Sequence, residues 1–100
     1  MNKHELVIIG AGPAGMSAAL NAQNDGLDFI LIESTEEGWF PRVSVDSHYT
    51  VDNYLGFSEV SGTEIISKFQ QHLADNGIVS LREKVESIRK KRELSTLALK

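Results

Sequence analysis

Short unbroken apolar runs alternate along this chain with stretches in which apolar residues return every three or four positions, and that change of rhythm predicts its elements. Leu6-Val7-Ile8-Ile9 is a continuous run of strand length, the pattern of a strand buried on both faces. After a glycine-rich turn, small and apolar residues predict a helix that starts near Pro13 and ends near Asp25. Proline's fixed φ and missing N–H suit a first turn, and Gly26 is placed to cap the end in a left-handed conformation. Ala14, Ala18 and Ala22 recur at i, i+4 and i+8, so they are expected to let the helix lie close on a sheet. Phe29-Ile30-Leu31-Ile32 is a second strand, ended by Glu33, and a β-α-β unit of this kind crosses over right-handed.

Residues 34–60 lose periodicity and collect turn formers among aromatic side chains. A loop of that length is usually functional or disordered, and Trp39, Phe40, Tyr49, Tyr54 and Phe57 argue against disorder. Two readings stay open: a wall over a ligand, or a small satellite core under the loop. A second helix is well marked, with Ser61 and Glu64 as a capping box, Ile65, Ile66, Phe69 and Leu73 at helical spacing, and Gly77 as the stop. Ile78-Val79-Ser80-Leu81 reads as a third strand parallel to the first two. The segments 85–91 and 94–99 are read as two strands around a basic turn in preference to a poorly amphipathic helix. Together these elements predict an α/β fold with a parallel sheet, one domain over residues 1–100.

The turn between the first strand and the first helix carries the candidate chemistry. Gly10, Gly12 and Gly15 satisfy G-x-G-x-x-G in the strand-turn-helix setting the motif requires. Gly10 permits the tight turn, Gly12 lets backbone approach a pyrophosphate, and Gly15 lets helix and strand pack closely. The ligand implied is a dinucleotide with its phosphates at the helix N-terminus, where free N–H groups and the positive end of the dipole favour negative charge. Glu33 lies eighteen residues after Gly15, close to the spacing of a ribose-binding acid. A carboxylate there accepts from the ribose hydroxyls and repels a 2'-phosphate. Ser34 follows it rather than Arg, so the expected nucleotide is FAD or NAD rather than NADP. The fold expected is therefore a Rossmann-like FAD/NAD(P)-binding βαβ arrangement.

Composition narrows this picture without redirecting it. With 41% apolar and 24% charged residues the chain is ordinary for a globular protein, and at 100 residues folding buries little more than ~60% of the unfolded surface. It contains no cysteine, which excludes a disulfide, a thiolate metal site or a redox dithiol within these residues. His4, His48 and His72 lack metal-ligand spacing, and no metal is expected. No apolar run approaches the ~18 residues that span a bilayer, and a soluble cytoplasmic protein is expected. Residues 1–81 hold three Lys/Arg and eleven Asp/Glu, whereas residues 82–100 hold seven and three. The run Arg89-Lys90-Lys91-Arg92 lacks the interleaved aromatics of a nucleic-acid surface and reads as a solvated turn between strands. No nucleic acid and no membrane are expected as partners.

Three motifs in order give the chain a resemblance. Gly10-Ala11-Gly12-Pro13-Ala14-Gly15, Asn53-Tyr54-Leu55-Gly56 and Ser61-Gly62-Thr63-Glu64 stand where thioredoxin-reductase-like flavoproteins of the pyridine nucleotide-disulfide oxidoreductase family carry G-x-G-P-A-G, an Asn-aromatic-x-Gly stretch and a Ser/Thr-Gly helix start. The chain resembles the N-terminal, FAD-binding part of those proteins over nearly its whole length. The resemblance implies extended FAD, with the pyrophosphate on the glycine turn, the adenosine ribose on Glu33, the 34–56 loop running toward the flavin, Asn53 as a flavin-side contact and backbone near Val85 at the adenine edge. The cofactor-binding set so implied is Gly10, Gly12, Pro13, Ala14, Gly15, Glu33, Ser34, Gly38, Trp39, Asn53 and Val85.

Two departures qualify the likeness. Where thioredoxin reductases carry Gly-Gly-Gln after the ribose acid, this chain reads Glu36-Glu37-Gly38-Trp39-Phe40, which also fits relatives of the ferredoxin-NADP reductase type. The family's inserted NADPH domain, its reactive Cys pair and the C-terminal segment completing its flavin domain all lie beyond the equivalent of residue 100. The expectation is an FAD-holding portion of an NAD(P)H oxidoreductase that is not catalytically complete, with no catalytic residue assigned. The alternative is a stand-alone NAD- or ADP-binding or interaction module. A three-stranded parallel sheet leaves open edges, so a homodimer or a partner chain completing the sheet is expected in either case.

Overall fold

A parallel ladder organises the start of the fold: β1 (Leu6–Ile9) runs beside β2 (Phe29–Glu33) with Leu6 opposite Phe29, Val7 opposite Ile30, Ile8 opposite Leu31 and Ile9 opposite Ile32. The computed structural model describes residues 3–33, 50–91 and 94–99. Asp28 fastens the entry to this ladder. Its carbonyl accepts from the amides of Glu5 at 2.9 Å and Leu6 at 3.1 Å, its own amide donates to Glu5 Oε1 at 3.0 Å, and its carboxylate lies 3.2 Å from His4 Nδ1.

The crossover is α1 (Pro13–Asn24), with Pro13 in its first turn. Gly26 closes it at φ +72°, with Gly26 N–H donating to Gln23 O and Leu27 N–H to Ala22 O. That pair of bonds is the Schellman closure, satisfying carbonyls the helix end would otherwise leave open. The expected alanine row is corrected: Ala14 and Ala18 are exposed, and the buried face is Met16, Ala19 and Ala22. The cause is Gly15, whose lack of a side chain brings the helix against Gly10 and Ile8 and so turns the face near Gly15, Ala19 and Ala22 inward. Ala14 and Ala18 then sit about 100° further round the helix.

Residues 50–61 hold an element the sequence did not suggest. β3 (Thr50–Val51) pairs antiparallel with β4 (Val60–Ser61), Thr50 opposite Ser61 and Val51 opposite Val60. Ser61 then caps α2 (Gly62–Asp75), its hydroxyl accepting from the Glu64 amide at 3.1 Å, as the capping box predicts. Ile65, Ile66 and Leu73 are the large side chains buried along α2. Gly77, at φ +71°, ends it as Gly26 ends α1, with Gly77 N–H to Ala74 O and Ile78 N–H to Leu73 O. Gln23 Nε2 donates to Asn76 O at 2.6 Å and ties the two helix ends together.

The third parallel strand, β5 (Leu81–Arg82), begins later than the expected Ile78. The Ile78 amide is committed to the helix end, and pairing with β2 starts only at Ile32 opposite Leu81 and Glu33 opposite Arg82. The sheet order is β1-β2-β5, all parallel. On the helix side, Ile8, Leu31, Met16, Ala19, Leu73 and Ile78 make the main core. β6 (Val85–Lys91) and β7 (Leu94–Leu99) form the antiparallel hairpin expected, with Ile88 opposite Leu97 and a bulge between Val85 and Ser87. Arg89, Lys90 and Lys91 of the basic run belong to β6, and Arg92 lies outside the described residues. The hairpin faces the other side of the sheet across a cavity of about 320 Å³ lined by Val7, Ile30, Ile32, Leu81, Leu97 and Leu99 among others. Among the described residues, no helix is long and apolar enough to cross a membrane.

Candidate functional site

The glycine turn lies at the carboxyl end of β1. Gly10 N–H donates to Ile32 O at 2.7 Å, the last bond holding this end of the strand to β2, and the chain then turns at φ +106°. Residues with a Cβ rarely adopt that φ. A Cβ at Gly15 would run into the carbonyl oxygen and carbon of Gly10, so the close seating of helix on strand depends on glycine there. Gly12 differs from both. It is the N-cap of α1 in an extended conformation, φ −75° and ψ −174°, and a Cβ on it would meet nothing within 4 Å.

What the turn offers is backbone. No side chain caps α1 and no acidic residue occupies its first turn. Its first internal bond runs from Met16 N–H to Gly12 O at 2.9 Å. The amides of Ala14 and Gly15 come before that bond, outside the intrahelical ladder, and Pro13 has no N–H to offer. The helix presents donors and a positive dipole end with no carboxylate of its own to neutralise them.

Glu33 ends the neighbouring strand and is only 3% exposed. It shares the helix-side face of β2 with Leu31, as alternation along a strand requires. A buried carboxylate is costly unless it is paired and hydrogen-bonded. Two residues supply this: Ser80 Oγ donates to Glu33 Oε1 at 2.7 Å, and Arg82 Nε lies 3.3 Å from the same oxygen. Glu83 N–H donates to the Glu33 carbonyl at 2.9 Å and locks the backbone beside it. Ala11 of the glycine turn, Glu33, Gln70, Ser80 and Arg82 line a common cavity of about 270 Å³. Gln70 Nε2 is buried with no hydrogen-bond partner, an unmet donor in the wall of that cavity.

The other expected contacts fall into three groups. Ser34, Gly38 and Trp39 lie outside the described residues, as does the Glu36–Phe40 departure. Asn53 is exposed in the turn between β3 and β4 and does not line the Glu33 cavity. The turn is supported by Tyr54, Phe57 and Phe69, whose rings lie 5.3 to 6.1 Å apart centre to centre. Val51 and Phe57 also pack on Val60, Ile65 and Ile66, so residues 50–60 cover a satellite core, while residues 34–49 of the same loop lie outside the described residues. Tyr54 shares a small pocket with Pro13, which brings the turn beside the start of α1. Val85 is half-buried at the start of β6, opposite Leu99, and does not line the cavity either. The residues that sequence reasoning missed are Gln70, Ser80 and Arg82. Ser80 and Arg82 alternate around Leu81, a period-two signal of two polar groups on one side of the chain as it enters the third strand.

A parallel β1-β2-β5 sheet with a glycine turn and a strand-end acid defines an α/β protein of Rossmann-like type. The chain belongs to the pyridine nucleotide-disulphide oxidoreductase family, which it matches over residues 4–99. It is 34% identical over 95 residues to a thioredoxin reductase of Ureaplasma parvum serovar 3, covering 86% of this chain and 29% of that protein. It is 39% identical over 74 residues to a 34.2 kDa protein in the rubredoxin operon of Clostridium pasteurianum, covering 74% and 23%. Among solved structures, a ferredoxin-flavin thioredoxin reductase from Clostridium acetobutylicum superposes with a TM-score of 0.86 at 35% identity, over 99% of this chain and 33% of that one. The chain therefore spans a third or less of the length of these relatives.

Proposed function

We propose that this chain is the FAD-holding portion of a flavin-dependent NAD(P)H oxidoreductase of the thioredoxin-reductase type. The glycine turn would carry the pyrophosphate on the amides of Ala14 and Gly15, and Glu33 would accept from the adenosine ribose. The observation that supports this reading is the uncapped N-terminus of α1 following β1, beside the end of β2 that carries the buried Glu33, with Ala11 of the turn lining the Glu33 cavity. The residues fit the group: Gly12 leaves clear the space that any side chain would fill, and the cavity wall holds an unmet donor at Gln70.

Bound flavin would supply the two-electron chemistry, accepting hydride and passing electrons to an acceptor. The chain's own part is to bind and orient: amides neutralise phosphate charge, Glu33 fixes the sugar, and the Tyr54-Phe57-Phe69 cluster braces the Asn53 turn beside α1. No described side chain is assigned as general acid, base or nucleophile. Turnover and the nicotinamide partner are proposed for a protein of the length of the relatives, of which this chain spans a third or less.

Titrating the purified chain with FAD, NAD and ADP, read by flavin absorbance and by calorimetry, tests the reading. Stoichiometric FAD binding is expected, and Glu33→Ala should weaken it about tenfold or more, the worth of hydrogen bonds to a charged group. Unchanged affinity in that variant removes the ribose role. Binding of NAD or ADP with no affinity for FAD would make the chain a non-catalytic nucleotide module instead.

A further inference from the structure

We propose that Ser80 and Arg82 are positioning residues for ribose recognition, acting on the sugar only through Glu33; this rests on the reading of Glu33 given above. Both contacts fall on the same carboxylate oxygen, Oε1, one from the Ser80 hydroxyl at 2.7 Å and one from Arg82 Nε at 3.3 Å. The terminal torsion of a glutamate is soft, so a carboxylate held through its backbone alone samples a wide range of planes. Two donors on one oxygen select one plane. An ionised carboxylate offers about four lone-pair sites, so two such contacts leave it the capacity to accept from sugar hydroxyls.

The strand register makes the arrangement specific. Glu33 stands directly opposite Arg82 in the β2–β5 ladder, and Ser80 is two residues back on the same face of the chain. Arg82 reaches the acid from solvent, with its side chain 62% exposed, while Glu33 is 3% exposed. The guanidinium thus orients the acid from the exposed side of the cavity wall that Ala11, Glu33 and Arg82 share. Glu33 is set before the ligand arrives, and the ligand need not order it, which is where such preorganisation gains affinity.

The consequence is a split between two nucleotides. A positioned Glu33 should make the wild-type chain prefer ADP over 2'-deoxy-ADP by about tenfold, the worth of one hydrogen bond to a charged acceptor. Arg82→Met and Ser80→Ala should each shrink that preference toward about twofold, chiefly by weakening ADP, and Arg82→Lys should restore part of it. Calorimetric titration of all four chains with both nucleotides measures the ratio. Loss of stability with an unchanged ratio in Arg82→Met or Ser80→Ala would show a merely structural role and overturn the proposal. If Arg82→Met does not fold, the ratio in Ser80→Ala decides alone. A wild-type chain that binds both nucleotides equally overturns the Glu33 ribose assignment itself, and this inference with it. A preserved wild-type preference with an indifferent Ser80→Ala overturns only the positioning role.

Discussion

Gly12 and Gly15 share a motif and a turn, yet the structure separates their roles. Gly15 is packed: any Cβ meets the Gly10 carbonyl, a backbone group that cannot swing aside. Gly15→Ala should therefore cost about 3 kcal/mol, at the upper end of overpacking effects, seen as a lower urea midpoint. Gly12 is open and extended, a conformation any residue adopts. Gly12→Val should leave the far-UV dichroism of the helices nearly intact and abolish FAD and ADP binding. Retained binding would remove the phosphate-turn assignment. Glu33 and the three glycines are legible in the sequence because a local spacing fixes them. Ser80, Arg82 and Gln70 are not, because their value depends on which strand and helix they face, and register between β2 and β5 is not written in any one segment.

At the scale of elements, the legible ones are those with long periods or firm stops. β1, β2 and both helices declare themselves through apolar runs and through Gly26 and Gly77, each at positive φ in a Schellman closure. The two-residue β3 and β4 are too short for any period to show, although Val51 and Val60 flank the turn they close. The start of β5 is misread for a different reason: Ile78 looks like strand by composition, but its amide serves the end of α2. α2 also offers a clean test of local stabilisation. Ser61→Ala removes the 3.1 Å bond to the Glu64 amide and should cost about 1 kcal/mol, measured as a shift in the denaturation midpoint, with cofactor affinity within twofold of wild type.

At the scale of the molecule, the sheet is finished on one face and open at one side. Among the described residues β1 pairs only with β2, and Leu6 and Ile9 remain 36% and 49% exposed. Open strand edges with apolar side chains invite another chain. Sedimentation velocity should show an average mass that rises with concentration, and Ile9→Lys, which puts a charge on that edge, should hold the chain monomeric. A wild-type mass that stays at one chain up to high concentration would remove the expected self-pairing.

The ladder between β1 and β2 has one further effect. Everything it needs, from the Asp28 fastening to the Gly10 bend, is contained in the residues between His4 and Glu33. Closing it requires only the helix in between, so during synthesis the glycine turn can be shaped while later segments are still in the ribosome. Ser80 and Arg82 arrive afterwards, and the acid acquires its guy-ropes last.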